Sequence, residues 1–387
     1  TKEQSLVMKL FNSLRKIRRR FSRFRPLVEV LISQDRLLNN LGELQKQYPR
    51  LSFAPVLKSN AYGHGLVETA EILDKEKIAF LAVDSLSEAM TLRQHGFKSE
   101  ILVIGYTWPE NIKNFPLPNL TFTIISLEQL VAVAELVKRP VRLHLKIDTG
   151  MGRQGILLEQ VDEAIRVIKE NQQLILEGVC SHLADADSSD ESFTGAQIKA
   201  WQQAAVRFKN SFSDIKYFHF SATAGLAYSS AADNNVVRLG LGLYGINPSP
   251  RLNFNLKPVL KLRSVISSVK HLPAGASVGY GATYKLPHAA TIATVPAGYF
   301  EGVDRRLSNC GFFKVQGQAC PIVGRVSMNI TTIDVSAVKN VKVGEEVVII
   351  SDNGADKNSV ENIAKITGTI PWEILVHLPV HLRRKVV

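Results

Sequence analysis

Cysteine is scarce in this sequence: Cys180, Cys310 and Cys320 form no CxxC pair and no Cys/His spacing that would hold a metal. That excludes a disulfide scaffold, and the thiols are expected to be reduced, as in a cytoplasmic protein. Long hydrophobic runs are also missing, since none approaches the ~20 residues a membrane-spanning helix needs. No apolar segment follows the first charges, which stay basic through Arg25, so a secretory signal is not expected. There is no Walker lysine motif and no GxGxxG fingerprint, so nothing points specifically to a mononucleotide or dinucleotide. Internal repeats and low-complexity stretches are absent too.

Positive charge, in contrast, is in excess, and it is unevenly placed. Residues 1–25 hold nine Lys/Arg against one Glu, which leaves +4 of the formal +12 for the rest of the chain. In that segment Leu10, Leu14, Ile17, Phe21 and Phe24 recur at helical spacing, with arginines filling the opposite face. Such an extension suits peripheral contact with an anionic membrane through residues 9–25, or a solvated lead-in helix. A nucleic-acid partner is not expected, because interleaved stacking aromatics and a recognisable binding fold are missing. The chain opens at Thr1, which fits either a piece of a longer protein or a remnant ahead of Met8.

From residue 27 onward, short β-branched runs alternate with longer helix-patterned segments. Strands are predicted near 27–32, 52–58, 79–83, 101–105, 120–125, 141–147, 175–181, 216–221 and 236–243. Helices are predicted over 34–48, 85–96, 127–138, 158–171 and 194–210. This alternation predicts an α/β fold with a closed (β/α)8 barrel over residues 26–250, an open doubly wound sheet being the second choice. After Pro250 the texture changes to strands broken by turns, so residues 251–387 are expected to form a mainly β domain with a helix near 358–366.

In a parallel barrel the C-terminal strand ends face the active-site mouth. Lys58 stands at such an end, within "VLKSNAYGHG" (56–65). A lysine there is either a surface residue or a Schiff-base amine poised by its neighbours. Further strand ends read "KIDTGMGRQG" (146–155), "SHLADAD" (181–187), "HFSATAG" (219–225) and "RLGLGLYG" (238–245). Gly-bearing turns of this kind expose backbone N–H groups suited to a phosphate. A compact phosphorylated cofactor that also needs a lysine is pyridoxal 5'-phosphate.

With "VGYGATY" (278–284), "PAGYFEGVDRRL" (296–307) and "GRVSMN" (324–329), these motifs make the chain from about Arg25 onward resemble the alanine racemases, fold-type III pyridoxal-phosphate enzymes. The resemblance implies a homodimer in which the barrel mouth of one subunit meets the β domain of the other. It implies a covalent link between Lys58 and the cofactor, whose phosphate is held by Tyr62, Thr223 and the backbone at Gly240 and Leu241. Arg238 would face the pyridine nitrogen, supported by His182, and a guanidinium there leaves that nitrogen unprotonated. Lys58 and Tyr280 would be the two catalytic bases, one for each face of the substrate carbon. Tyrosine's ordinary pKa near ~10 then requires cationic neighbours to favour the phenolate. Arg153, Tyr299, Met328 and Trp372 would line the substrate, and Lys146 corresponds to a lysine that is carbamylated in many family members. No metal is implied.

The pattern is broken at Asn329, where the family commonly has aspartate, at Trp372, where tyrosine is usual, and at Ala222, where asparagine is frequent. Trp372 lacks a hydroxyl and adds bulk, which leaves the choice between alanine and a serine or broader amino-acid substrate open. The expected activity is interconversion of L- and D-alanine for peptidoglycan. A related-fold decarboxylase fits less well, because such enzymes set a carboxylate where Arg238 stands. A non-catalytic pyridoxal-phosphate carrier would have no use for Tyr280 and the long β region.

Overall fold

The structure is a computed structural model that describes residues 24–387. The expected basic extension over 1–25, with its membrane-contact segment 9–25, lies outside the described residues except for positions 24 and 25. Each predicted strand is present, but the first serves a different sheet. That strand, β1 (Glu29–Ile32), runs antiparallel to β10 (Leu260–Val265) and parallel to β19 (Arg383–Val386). Its residues alternate between half-buried and buried. Barrel strands are instead buried on both faces, and that difference in burial separates β1 from the barrel.

The barrel consists of β2 (Ser52–Pro55), β3 (Leu81–Val83), β4 (Ile101–Val103), β5 (Leu120–Ile124), β6 (Val141–Lys146), β7 (Leu174–Cys180), β8 (Tyr217–His219) and β9 (Val236–Leu239). Strands β3 to β8 pair in parallel in chain order, and β9 pairs with β2. Bridges between Val56 and Ala82 and between Ala222 and Arg238 join the remaining edges, so the ring closes. Helix α1 (Gln34–Gln47) buries Leu37, Leu41 and Leu44 at helical spacing, and Ser33 caps it by accepting the Arg36 N–H. Ser85 and Ser126 cap the helices Leu86–Gln94 and Leu127–Leu136 in the same way.

The rest is mainly β. One sheet has the order β16 (Gln318–Pro321), β15 (Phe312–Val315), β18 (Glu346–Ile350), β10, β1, β19. A second joins β11 (Ser268–Leu272), β14 (Ala290–Val295) and β17 (Thr331–Asp334), and β12 (Ser277–Val278) pairs with β13 (Tyr284–Lys285). The helix Val360–Thr367 lies near its predicted place. A further short helix, Pro371–Val376, was not predicted, and it packs on the turn that follows β2. Among the described residues no helix is long and apolar enough to cross a membrane.

Candidate active site

Lys58 opens a turn of unusual hand. Ser59, Asn60, Ala61 and Tyr62 all have φ between 51° and 55°, a left-handed conformation that costs roughly 1–2 kcal/mol per L-residue. The surroundings hold it in place. Glu88 Oε1 accepts the Asn60 N–H at 3.2 Å, and Asn60 Oδ1 accepts the Leu66 N–H at 2.8 Å. His64 Nδ1 lies 3.1 Å from the carbonyls of both Ala61 and Tyr62, so that nitrogen carries the proton and donates. Arg384 Nε donates to the Gly63 carbonyl at 2.9 Å. The turn thereby presents Lys58 and Tyr62 together at the barrel mouth.

Two adjoining hollows of about 340 and 350 Å³ occupy that mouth and share Lys58, Ile104, Arg153, His182 and Arg238. The first also reaches Tyr62, Thr223, Gly240, Leu241 and Trp372, and the second reaches Lys146. Around Thr223 the chain leaves room where side chains would intrude. A Cβ on Gly242 would lie 2.4 Å from Thr223 Cγ2, and one on Gly240 would lie 3.0 Å from the Tyr62 hydroxyl. Burial pushes the Tyr62 phenol up to about 12 against the opposing pull of Arg238, so it stays a hydrogen-bond donor. Ser221 Oγ is buried nearby without a hydrogen-bond partner among the described residues. Hydroxyl donors, backbone N–H groups and space for no side chain suit a phosphate, with Lys58 in the same cavity.

Arg238 is buried and held by its neighbours. Its Nη1 donates to His219 Nδ1 at 2.6 Å and to the His219 carbonyl at 2.5 Å. Its Nη2 donates to the Ser181 carbonyl at 2.6 Å, with His182 Nδ1 at 3.0 Å and the Phe220 carbonyl at 3.3 Å. The terminal hydrogens are thus committed, and Nε–H is the guanidinium hydrogen without a protein partner among the described residues. Burial first, then the charge on Arg238, pulls His182 well below its ordinary value, so it accepts as a neutral ring. Lys146 is also lowered, mainly by burial, and its Nζ lies 3.4 Å from Gln154 Oε1.

The remaining expected residues lie elsewhere on the chain. Tyr280, Met328 and Tyr299 are 73%, 56% and 45% exposed, and none of them lines the barrel-mouth hollows. They gather on the β part: the Tyr299 N–H donates to the Ser327 carbonyl at 3.1 Å, and the Phe300 N–H to the Met328 carbonyl at 2.9 Å. Arg325 lies against the Tyr280 turn, where a Cβ on Gly281 would be 3.5 Å from Arg325 Nη1. Asn329 Nδ2 donates to Glu301 Oε1 at 2.8 Å. Residues that sequence reasoning passed over include His219, His144, Asn60 and Glu88. The alternation of Arg142, His144 and Lys146 along β6 was the available sign that these polar residues share one face.

A closed barrel with a lysine, two arginines and an anion cradle in its mouth, followed by a β domain, has the architecture of an enzyme. Comparisons with known proteins make this specific. The models for the alanine racemase N-terminal and C-terminal domains match residues 32–248 and 259–386. The alanine racemase of Carboxydothermus hydrogenoformans is 36% identical over 91% of this chain and 97% of its own length. That of Methanococcus maripaludis is 34% identical over 87% of this chain and 92% of its own. Among solved structures, alanine racemase from Clostridium difficile 630 superposes with a TM-score of 0.86 at 31% identity, covering 94% of this chain and 97% of that one. The Bacillus anthracis enzyme with bound L-Ala-P gives 0.86 at 30%, covering 94% and 96%. The chain belongs to the alanine racemase family.

Proposed function

We propose that this protein is an isomerase that interconverts L- and D-alanine with pyridoxal 5'-phosphate, in the cytoplasm, and that its D-alanine serves peptidoglycan. The observation that carries the reading is the sharing of one cavity by Lys58, Arg153 and an Arg238 whose terminal N–H groups are already committed to protein acceptors. When bound, the cofactor supplies an electron sink that makes the substrate's α-hydrogen acidic. Lys58 would hold the cofactor and exchange a proton on one face of the α-carbon, with Tyr280 of the partner subunit on the other. Arg325 lies beside the Tyr280 turn.

Tyr62, Thr223 and the backbone at Gly240 and Leu241 bind the phosphate. Arg238, with His182 behind it, offers an Nε–H that it cannot release at neutral pH, so it acts as a fixed donor and not as an acid. Arg153 pairs with the substrate carboxylate. Lys146 is the carbamylation site, and the burial that lowers its pKa favours the neutral amine this reaction needs. Met328 and Tyr299 of the partner subunit close the substrate pocket, while Trp372 limits the side chain. The exposure of the second base on the β part supports a homodimer with shared sites.

The test is circular dichroism of L-alanine and of L-serine incubated separately with the protein and pyridoxal phosphate, with Lys58→Ala as control. Decay of the alanine signal to zero with wild type alone is expected. A faster serine decay would move the assignment to a serine or broad-specificity racemase. Unchanged optical activity with either substrate, despite bound cofactor, would leave the carrier reading in its place.

A further inference from the structure

Behind Arg238 the barrel interior holds a second, deeper connection. His219 receives the guanidinium at Nδ1, and its Nε2 lies 2.7 Å from Nδ1 of His144 across the ring. Both imidazoles are fully buried, with Phe80 packed edge-on to each. An arginine can only donate, so His219 Nδ1 must accept and its proton must sit on Nε2. That proton in turn needs an acceptor, and His144 Nδ1 is the atom within reach. The protonation pattern of both rings is therefore dictated from the arginine inward.

The backbone is shaped to seat His144. Between β6 and β7 the register shifts, with Leu143 opposite Leu176 but His144 opposite Gly178, so that Glu177 is the extra residue of a bulge. A Cβ on Gly178 would lie 2.8 Å from His144 Nε2 and 2.9 Å from its Cδ2 and Cε1. A glycine and a bulge at one point of a barrel strand are an expensive local choice unless the ring they accommodate has work to do.

We infer that His144 and His219 are positioning residues: they form a tautomer-locked relay that fixes the direction of Arg238, seated by Gly178 and the β7 bulge. If His144 cannot accept, the His219 Nε2–H that the guanidinium enforces is left buried without its acceptor. Relieving it, by turning the ring or by moving the proton to Nδ1 against the guanidinium, shifts Arg238 off its axis. This deepens the proposed reading, because it assigns residues that set the orientation of the group facing the cofactor ring.

The first measurement is nitrogen-15 NMR of histidine-labelled full-length protein prepared without cofactor. Both His219 and His144 are expected as neutral Nε2–H tautomers at neutral pH; a proton on His219 Nδ1 overturns the relay. The second is a set of variants loaded with pyridoxal phosphate. His144→Leu and Gly178→Ala should each lower kcat roughly 10-fold and shift the absorbance of the bound cofactor, and His144→Asn, which keeps an acceptor, should recover most of the loss. A folded His144→Leu protein with wild-type kcat and spectrum overturns the inference. Should the wild type fail to racemise any amino acid, the proposed function falls, while the NMR result still decides the relay.

Discussion

Buried neutral histidines make a protein sensitive to acid, and four such rings surround this site. Burial lowers His64 from 6.5 to about 4 and His144 to about 3, and His182 and His219 shift the same way. The unfolded chain binds these protons at about 6.5, so between 6.5 and 4 it carries more of them than the folded one. Stability contributed by the neutral rings is complete above 6.5 and is lost as pH falls through that window. Denaturant titrations from pH 7 to 4.5 should show that loss, and His64→Asn should flatten the slope by up to about 1.4 kcal/mol per pH unit. An identical slope in the variant would remove His64 from the account. At this scale Lys58, Arg153 and Arg238 were legible from their motifs. His144 was not, because its alternation with Arg142 and Lys146 marks only a shared polar face of β6, and the partner that gives it a role is 75 residues away.

The left-handed turn is a single element in which four consecutive residues, Ser59 to Tyr62, share positive φ. Gly63 ends it at φ 79°, and a Cβ there would lie 2.0 Å from the Leu375 carbonyl oxygen. That carbonyl belongs to the helix Pro371–Val376, which carries Trp372 into the cavity. Gly63→Ala should therefore both strain the turn and push this helix outward, at a cost of about 2–4 kcal/mol. Thermal unfolding should record a lower Tm, and tryptophan fluorescence should report a more exposed Trp372. Wild-type values for both would mean that the contact yields without consequence. The element's position after β2 was readable from Pro55–Gly65, but its hand was not, because Ser, Ala and Tyr do not announce positive φ.

For the whole molecule, the proposed catalytic residues fall into two groups that one chain does not bring together. Lys58 lies in the barrel mouth, and Tyr280 lies exposed on the β part. A dimer with shared sites predicts complementation between two inactive proteins. Lys58→Ala and Tyr280→Phe chains, mixed, unfolded and refolded together, should form heterodimers in which one of the two sites is intact. Random pairing gives about a quarter of wild-type activity. Activity no higher than that of the separate variants would argue that each site is built within one subunit.

The sequence by itself determined the alternation of strands and helices, the glycine-rich strand ends, and the lysine and arginines that stand on them. Those features depend on side-chain period and turn chemistry, which act over a few residues. Only the tertiary structure decided that β1 joins β10 and β19, that Lys58 sits on a left-handed turn, that His144 reaches His219 across the barrel, and that Tyr280 faces outward. Each of those is a pairing or an exposure set by closing long stretches of chain, and the energy that selects it appears only when the barrel and the β sheets are in place.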